Sequence, residues 1–304
     1  MLVYLSMTAN TATATMLVIN LRRFCVSLSV KAFPFSTLAI TDPSHHANCR
    51  PRIPVIRYED DWVCVNKPAG LPVHRTGSSN RNEVTLRSML KKQLARKVFP
   101  VHRLDHRTSG AILFAFDSDT CGIIHKRLAN GTKDYVALLR GEWKYDNPSV
   151  MIHVPLASEN GELKDASTEF KLVSSSNFRN MPCSLVTCHP TTGRTHQIRR
   201  HAYHLGHPIL GDTEHGDSRV NRQWRTERGL TRMALHCLSI HLEGGADMPL
   251  IAPLSREFRT VLEQDENLWN EATDIDSRIL LDDFDEIGGT FGRNFRKRQT
   301  QPQD

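Results

Sequence analysis

From Val55 onward, apolar and polar positions alternate with the periods of regular secondary structure. Trp62-Val63-Cys64-Val65-Asn66 forms a strand-like run closed by the turn cluster Lys67-Pro68-Ala69-Gly70. Within residues 83–97, Val84, Leu86, Leu90 and Leu94 fall at helical spacing, with bases on the other face. Residues 111–116 are continuously apolar, and Ser118 stands where it could cap a helix carrying Cys121, Ile124 and Leu128. Residues 135–139, 168–173, 184–188 and 235–242 read as further strands. Residues 196–205 read as a helix with Ile198, Ala202 and Leu205 on one face. Helices and strands alternate irregularly, several at hairpin separation. The expected class is therefore α+β with a mixed sheet rather than a strictly wound βαβ chain.

Two flanks break this pattern. Residues 1–52 hold one acid, Asp42, against Arg22, Arg23, Lys31, Arg50 and Arg52, and are rich in Ser and Thr. An organelle transit segment, a disordered extension and an over-long start all fit that composition. Residues 263–304 run from acidic to basic and read as a solvated tail. The expected organisation is an extension over 1–52, a globular domain over 53–262 and a tail over 263–304.

Charge changes the picture only after it is divided. Residues 263–286 carry −9 and residues 287–304 carry +3, so a chain of +6 leaves +12 on residues 1–262. A body that basic favours polyanionic partners, nucleic acid first. No apolar run approaches the roughly 18 residues needed to span a bilayer. Seven scattered cysteines without a C-x-x-C argue against a disulfide framework or a zinc ribbon and for a reducing compartment. A cytoplasmic location is expected, or mitochondrion or plastid if residues 1–52 are a transit peptide.

The densest polar constellation is His102-Arg103-Leu104-Asp105-His106-Arg107-Thr108-Ser109-Gly110. One carboxylate among four basic side chains is held ionised, as a nucleophile requires. On composition alone the same residues also fit an exposed loop with an ordinary salt bridge. A second constellation, Thr191-Thr192-Gly193-Arg194-Thr195-His196-Gln197-Ile198-Arg199-Arg200-His201, reads as a turn opening a helix, a place suited to phosphate. His196, His201, His204 and His207 cluster here, but neither H-E-x-x-H nor a second cysteine pair completes a metal site, and none is expected. Phosphate-loop and nucleophile-elbow motifs are absent.

Taken together, the segments resemble the RluA-type pseudouridine synthase family. The resemblance rests on His102-Arg103-Leu104-Asp105-x-x-Thr108-Ser109-Gly110, preceded by Asn66-Lys67-Pro68-Ala69-Gly70-Leu71. Lys133-Asp134-Tyr135, Gly193-Arg194-Thr195-His196-Gln197-Ile198-Arg199, Gly206-His207-Pro208-Ile209-Leu210-Gly211-Asp212 and Arg232-Met233-Ala234-Leu235-His236 follow in the family's order. It spans about residues 55–262. The segment Gly211-Asp212-Thr213-Glu214-His215-Gly216-Asp217-Ser218-Arg219-Val220-Asn221-Arg222 is most similar to the tRNA pseudouridine synthase C branch. Two departures stand out: His106-Arg107 where Arg-Pro is common, and Asp134 where a base is common.

The resemblance implies a pseudouridine-synthase-like catalytic domain with a largely antiparallel central sheet, flanked by helices and loops. It implies isomerisation of a uridine in tRNA, with no metal or redox cofactor. Asp105 would be the nucleophile, attacking either the ribose C1′ or the uracil C6. Tyr135 would stack on the uracil and assist removal of the C5 proton. Arg199 would pair with Asp105, and Ile198 would pack beneath the base. Arg103 would fill the place left by the extruded nucleotide, with Arg194, Arg200, Arg219 and Arg222 as backbone contacts. A monomer acting away from membranes is expected. The alternatives are an rRNA synthase of the same family, a non-catalytic RNA-binding protein on the same fold and, more remotely, a metal hydrolase on the histidine cluster.

Overall fold

The computed structural model describes residues 52–75, 83–244 and 249–275. The expectations for residues 1–51 and 276–304 lie outside the described residues. Along the chain come β1 (Val55–Tyr58), β2 (Trp62–Lys67), α1 (Leu86–Leu94), β3 (Phe99–Pro100), β4 (Ser109–Ala115), α2 (Ser118–Ala129) and β5 (Thr132–Arg140). Next are β6 (Ser149–Ile152), β7 (Leu156–Ala157), β8 (Leu163–Lys164), β9 (Thr168–Ser176) and β10 (Cys183–Pro190). The remainder is α3 (Gln197–His204), α4 (Ser218–Arg228), β11 (Leu235–His241), β12 (Leu250–Ile251), α5 (Arg256–Glu263) and α6 (Glu266–Ile275).

The main sheet runs β1-β2-β4-β11-β5-β10-β9-β6, with β3 beside β4 and β12 beside β11. Among its described pairings only β4 with β11 is parallel. The expected mixed, largely antiparallel α+β sheet is what forms.

Period-two alternation distributes this sheet between two cores. On β5, Tyr135, Ala137 and Leu139 enter one core while Val136 and Leu138 enter the other. The first core receives Leu86, Leu90 and Leu94 of α1, Ile124 and Leu128 of α2, and Ile198 and Ala202 of α3. The second receives Trp224 of α4, Phe258, Val261 and Leu262 of α5, and Leu268 and Ala272 of α6. On β11 a register irregularity between Cys237 and Ser239 resets the alternation, so Cys237 and Ile240 share the first core although they are three residues apart.

Several expectations shift by local chemistry. α1 starts later than residue 83 because Thr85 and Ser88 form a capping box, which leaves Val84 outside and exposed. Asp117, not Ser118, caps α2, accepting from the Thr120 amide. The boundary expected at residue 262 falls inside packed structure: Ser176 donates to Asp265, and Leu268 and Ala272 of the following helix are buried. Among the described residues no helix is long and apolar enough to cross a membrane, and the five described cysteines are free thiols.

Candidate active site

The parallel β4–β11 pair brings two polar segments to one end of the sheet. Gly110 permits it, because a Cβ there would stand 2.2 Å from the Cys237 carbonyl oxygen. Behind it, Ser109 donates to His236 Nδ1 (2.7 Å), since His236 Nε2 is engaged with the Ala252 carbonyl (2.9 Å). Arg232 Nη2 donates to the same Ser109 hydroxyl (2.5 Å). Burial pushes the His236 pKa down to about 3, so the ring is neutral and carries its proton on Nε2.

The loop leading into β4 carries Asp105. Lys67, fully buried at the end of β2, points its ammonium at the carbonyls of Pro68 (2.9 Å), Leu71 (2.7 Å) and His106 (3.1 Å). Those three acceptors match the three N–H bonds of an ammonium. Burial, and then the nearby Arg232, draws its pKa down to about 7, with Asp105 pulling the other way. His106 adds a second clip, its Nε2 lying 2.6 Å from the Gly70 carbonyl, while the Gly70 amide donates to the His106 carbonyl. The Thr108 amide closes the turn onto the Asp105 carbonyl at 3.1 Å. His106 thus fixes this loop from the position next to Asp105.

Opposite, Gln197 organises the start of α3. Its amide oxygen accepts from Thr192 Oγ1 (2.6 Å) and the Arg194 amide (3.0 Å), and its nitrogen donates to the Ser167 carbonyl (2.9 Å). Arg199, in the first turn of the helix, is 2% exposed and bridges several carboxylates. Nε and Nη2 donate to the two oxygens of Asp212 at 2.7 and 2.8 Å, Nη1 donates to Asp105 Oδ2 at 3.2 Å, and Nη2 lies 3.4 Å from Glu214 Oε1. Burial works to raise the Asp212 pKa, but the Arg199 pair and the Glu214 and His215 amides hold it below the carboxylate range. Asp212 is fully buried, whereas Asp105 keeps 20% of its side chain open. Arg199 is thereby fixed from behind and offers one N–H to the exposed carboxylate.

Asp105 opens into a cleft of about 640 Å³ whose wall includes Arg103, Tyr135, Arg194, Ile198 and Arg199. Six of the nine predicted site residues therefore share one cleft. Arg200, Arg219 and Arg222 lie outside its wall: Arg200 donates to the Ala157 carbonyl (2.9 Å), and Arg219 and Arg222 are exposed on α4. Burial, with Cys237 hydrogen-bonded beside it, pushes the Tyr135 phenol well above its ordinary range. Lys133 also lines the cleft, its pKa lowered by burial. Asp134 bonds His189 (2.8 Å) and Ser239 (2.7 Å).

The histidine cluster separates. His201 contacts Thr168 Oγ1 and the Val154 carbonyl, and His207 contacts the Arg140 carbonyl. His196 instead meets Glu214 and His215, residues read only as part of a motif. Lys67 and Asp212 were likewise present in quoted motifs without a role.

A family model described as RNA pseudouridylate synthase matches residues 61–204. The tRNA pseudouridine synthase C of Vibrio vulnificus (strain CMCP6) is 32% identical over 235 residues, covering 71% of this chain and 92% of that protein. The chain belongs to the RNA pseudouridylate synthase family. The synthase is also 36% identical to the tRNA pseudouridine synthase C of Pasteurella multocida (strain Pm70), across 60% of this chain and 82% of that one. Among solved structures, Human RNA Pseudouridylate Synthase Domain Containing 1 aligns with a TM-score of 0.54 at 25% identity, over 67% of the synthase and 84% of the human chain. Human RNA Pseudouridylate Synthase Domain Containing 4 gives 0.55 at 24% identity, over 69% and 92%, which bears on the fold. The synthase is thus an isomerase.

Proposed function

We propose that the synthase converts a uridine in tRNA to pseudouridine, with Asp105 as its nucleophile. The observation that carries this reading is the asymmetric use of Arg199, which is locked onto buried Asp212 through Nε and Nη2 and lends an Nη1 N–H to the solvent-accessible carboxylate of Asp105. A carboxylate so paired is held in orientation while its side chain stays open to the cleft. The substrate assignment follows relatives named tRNA pseudouridine synthase C.

In this reading a uridine leaves its stack, at a cost of a few kcal/mol, and enters the cleft base first. Asp105 adds to the ribose C1′ or the uracil C6. The N1–C1′ bond breaks, the base turns, and C5 bonds to C1′. The C5 proton is then lost, N1 ends protonated, and Asp105 is released unchanged. Tyr135 and Ile198 sandwich the uracil, with the phenol kept neutral by its buried setting. Of the two arginines exposed at the rim, Arg103 fills the place the uridine leaves and Arg194 meets the flanking RNA backbone.

Incubation with tRNA transcript tritiated at uridine C5 should release tritium from the wild type and none with Asp105→Ala. Normal turnover by Asp105→Ala would overturn the nucleophile assignment. Release from an rRNA fragment but not from tRNA would move the substrate.

A further inference from the structure

Behind His196, which lines the cleft, three side chains converge that the isomerisation does not use together. His196 Nδ1 lies 3.2 Å from Glu214 Oε2 and 3.5 Å from His215 Nε2, and the three potential ligand atoms all fall within 4.8 Å of one another. A proton shared between two imidazole nitrogens at 3.5 Å makes a poor hydrogen bond. The same separation suits a different arrangement. Metal–nitrogen bonds of about 2.0–2.1 Å at tetrahedral angles place neighbouring ligand atoms about 3.3–3.4 Å apart, between the two distances here.

We propose that His196, Glu214 and His215 form a binding site for a divalent transition-metal ion of the zinc class, and that its occupancy inhibits the synthase. Two imidazoles and one carboxylate are a donor set for zinc, not for magnesium or calcium, which favour oxygen. The charge also fits. Arg199 touches three carboxylates, Asp105, Asp212 and Glu214, so this contact group carries a net −2 that a dication neutralises. The backbone that carries two of the ligands is fixed beforehand, because the Glu214 and His215 amides both donate to Asp212 Oδ1, at 2.9 and 3.1 Å.

Inhibition follows from the other nitrogen of His196. A metal on Nδ1 leaves the ring proton on Nε2, which stands 3.9 Å from Asp105 Oδ1. Histidine ligands commonly turn that second N–H toward a carboxylate. Here the carboxylate is Asp105, and an N–H directed at it blunts its nucleophilicity. Metal binding is independent of the tRNA reading, whereas inhibition rests on it.

The test uses the full chain stripped by chelator. Co²⁺ should give the intense visible absorption of a tetrahedral site, and Zn²⁺, measured against a colorimetric chelator, should bind at one equivalent. His215→Asn and Glu214→Gln should each weaken Zn²⁺ by more than about tenfold, since even outer-shell losses reach that scale. His204→Asn, at an exposed position, should leave binding unchanged. Zn²⁺ should suppress tritium release from tRNA by the wild type, and a chelator should restore it, while His215→Asn resists. Absence of the cobalt spectrum in the wild type, or Zn²⁺ affinity unaltered in both site variants, would overturn the site. Stoichiometric binding without loss of turnover would overturn the inhibition. A chain silent toward tRNA that still binds Zn²⁺ through these residues would count against the tRNA reading and leave the metal site standing.

Discussion

At the scale of single residues, the site depends on one guanidinium serving carboxylates of opposite exposure. Arg199→Met would leave Asp212 buried and unpaired, a change that costs roughly 3–5 kcal/mol when one partner of a buried pair is removed. Adding Asp212→Asn removes the stranded charge, so the double variant should regain part of the loss in denaturant unfolding while turnover remains absent. Recovery of turnover with stability would mean that Arg199 acts only as a strut. Arg199→Lys should fail as well, because a point-like ammonium cannot reproduce the fork that meets Asp212 through two nitrogens and Asp105 through a third. Asp105 and Arg199 were legible in the sequence because motif spacing marks them. Lys67 and Asp212 were visible only as letters within motifs. Their roles arise from contacts across 39 residues, to the His106 carbonyl, and across 13, to Arg199. No local pattern encodes such contacts.

Among elements, the longer strands and the helices of the first core were readable, because each carries its own apolar period. α4 was not, since its buried face includes Asn221 and Arg228 beside Trp224 and so breaks the helical stripe. β1 and β6 are four-residue strands at or near the ends of the sheet order, too short for alternation to register. Coupling between elements can also be tested. Asp134 on β5 and His189 on β10 join neighbouring strands. The bond to Asp134 raises the His189 pKa against burial. Burial would raise Asp134, but its bonds to His189 and Ser239 prevail and lower it. The His189 contribution is full below the ordinary imidazole value of about 6.5 and is lost as pH rises through its raised folded value. The Asp134 contribution is full above about 3.9 and is lost as pH falls through its lowered value. Asp134→Asn should therefore lower the melting temperature most at about pH 5–6 and least at about pH 8–9. An equal deficit at both would show that Asp134 works through Ser239 alone.

For the whole molecule, the divided charge and the divided core tell different stories about where the folded body stops. Composition placed the boundary at residue 262, because acids dominate the residues that follow. Packing carries the body on to Ile275, because acids on the outer face of α6 accompany Leu268 and Ala272 on the inner one, against the second core. An acidic average conceals an amphipathic helix, and only the neighbours that cover its apolar face reveal it. The two boundaries differ in what they predict for shortened chains. Ending the chain after residue 262 uncovers the Phe258–Leu262 face of α5 and removes Leu268 outright, and loss of one fully buried leucine side chain costs roughly 2–5 kcal/mol. For a body of this size each kcal/mol shifts melting by about 2–4 °C. A chain ended at 262 should therefore melt at least about 5 °C below one ended at 275, and Leu268→Ala in the longer chain should reproduce a large part of that gap. Equal melting of the two shortened chains would restore the boundary at 262. The cleft lies against the first core, so at temperatures where both chains stay folded they should release tritium from tRNA at similar rates, separating the support of the fold from the chemistry it holds.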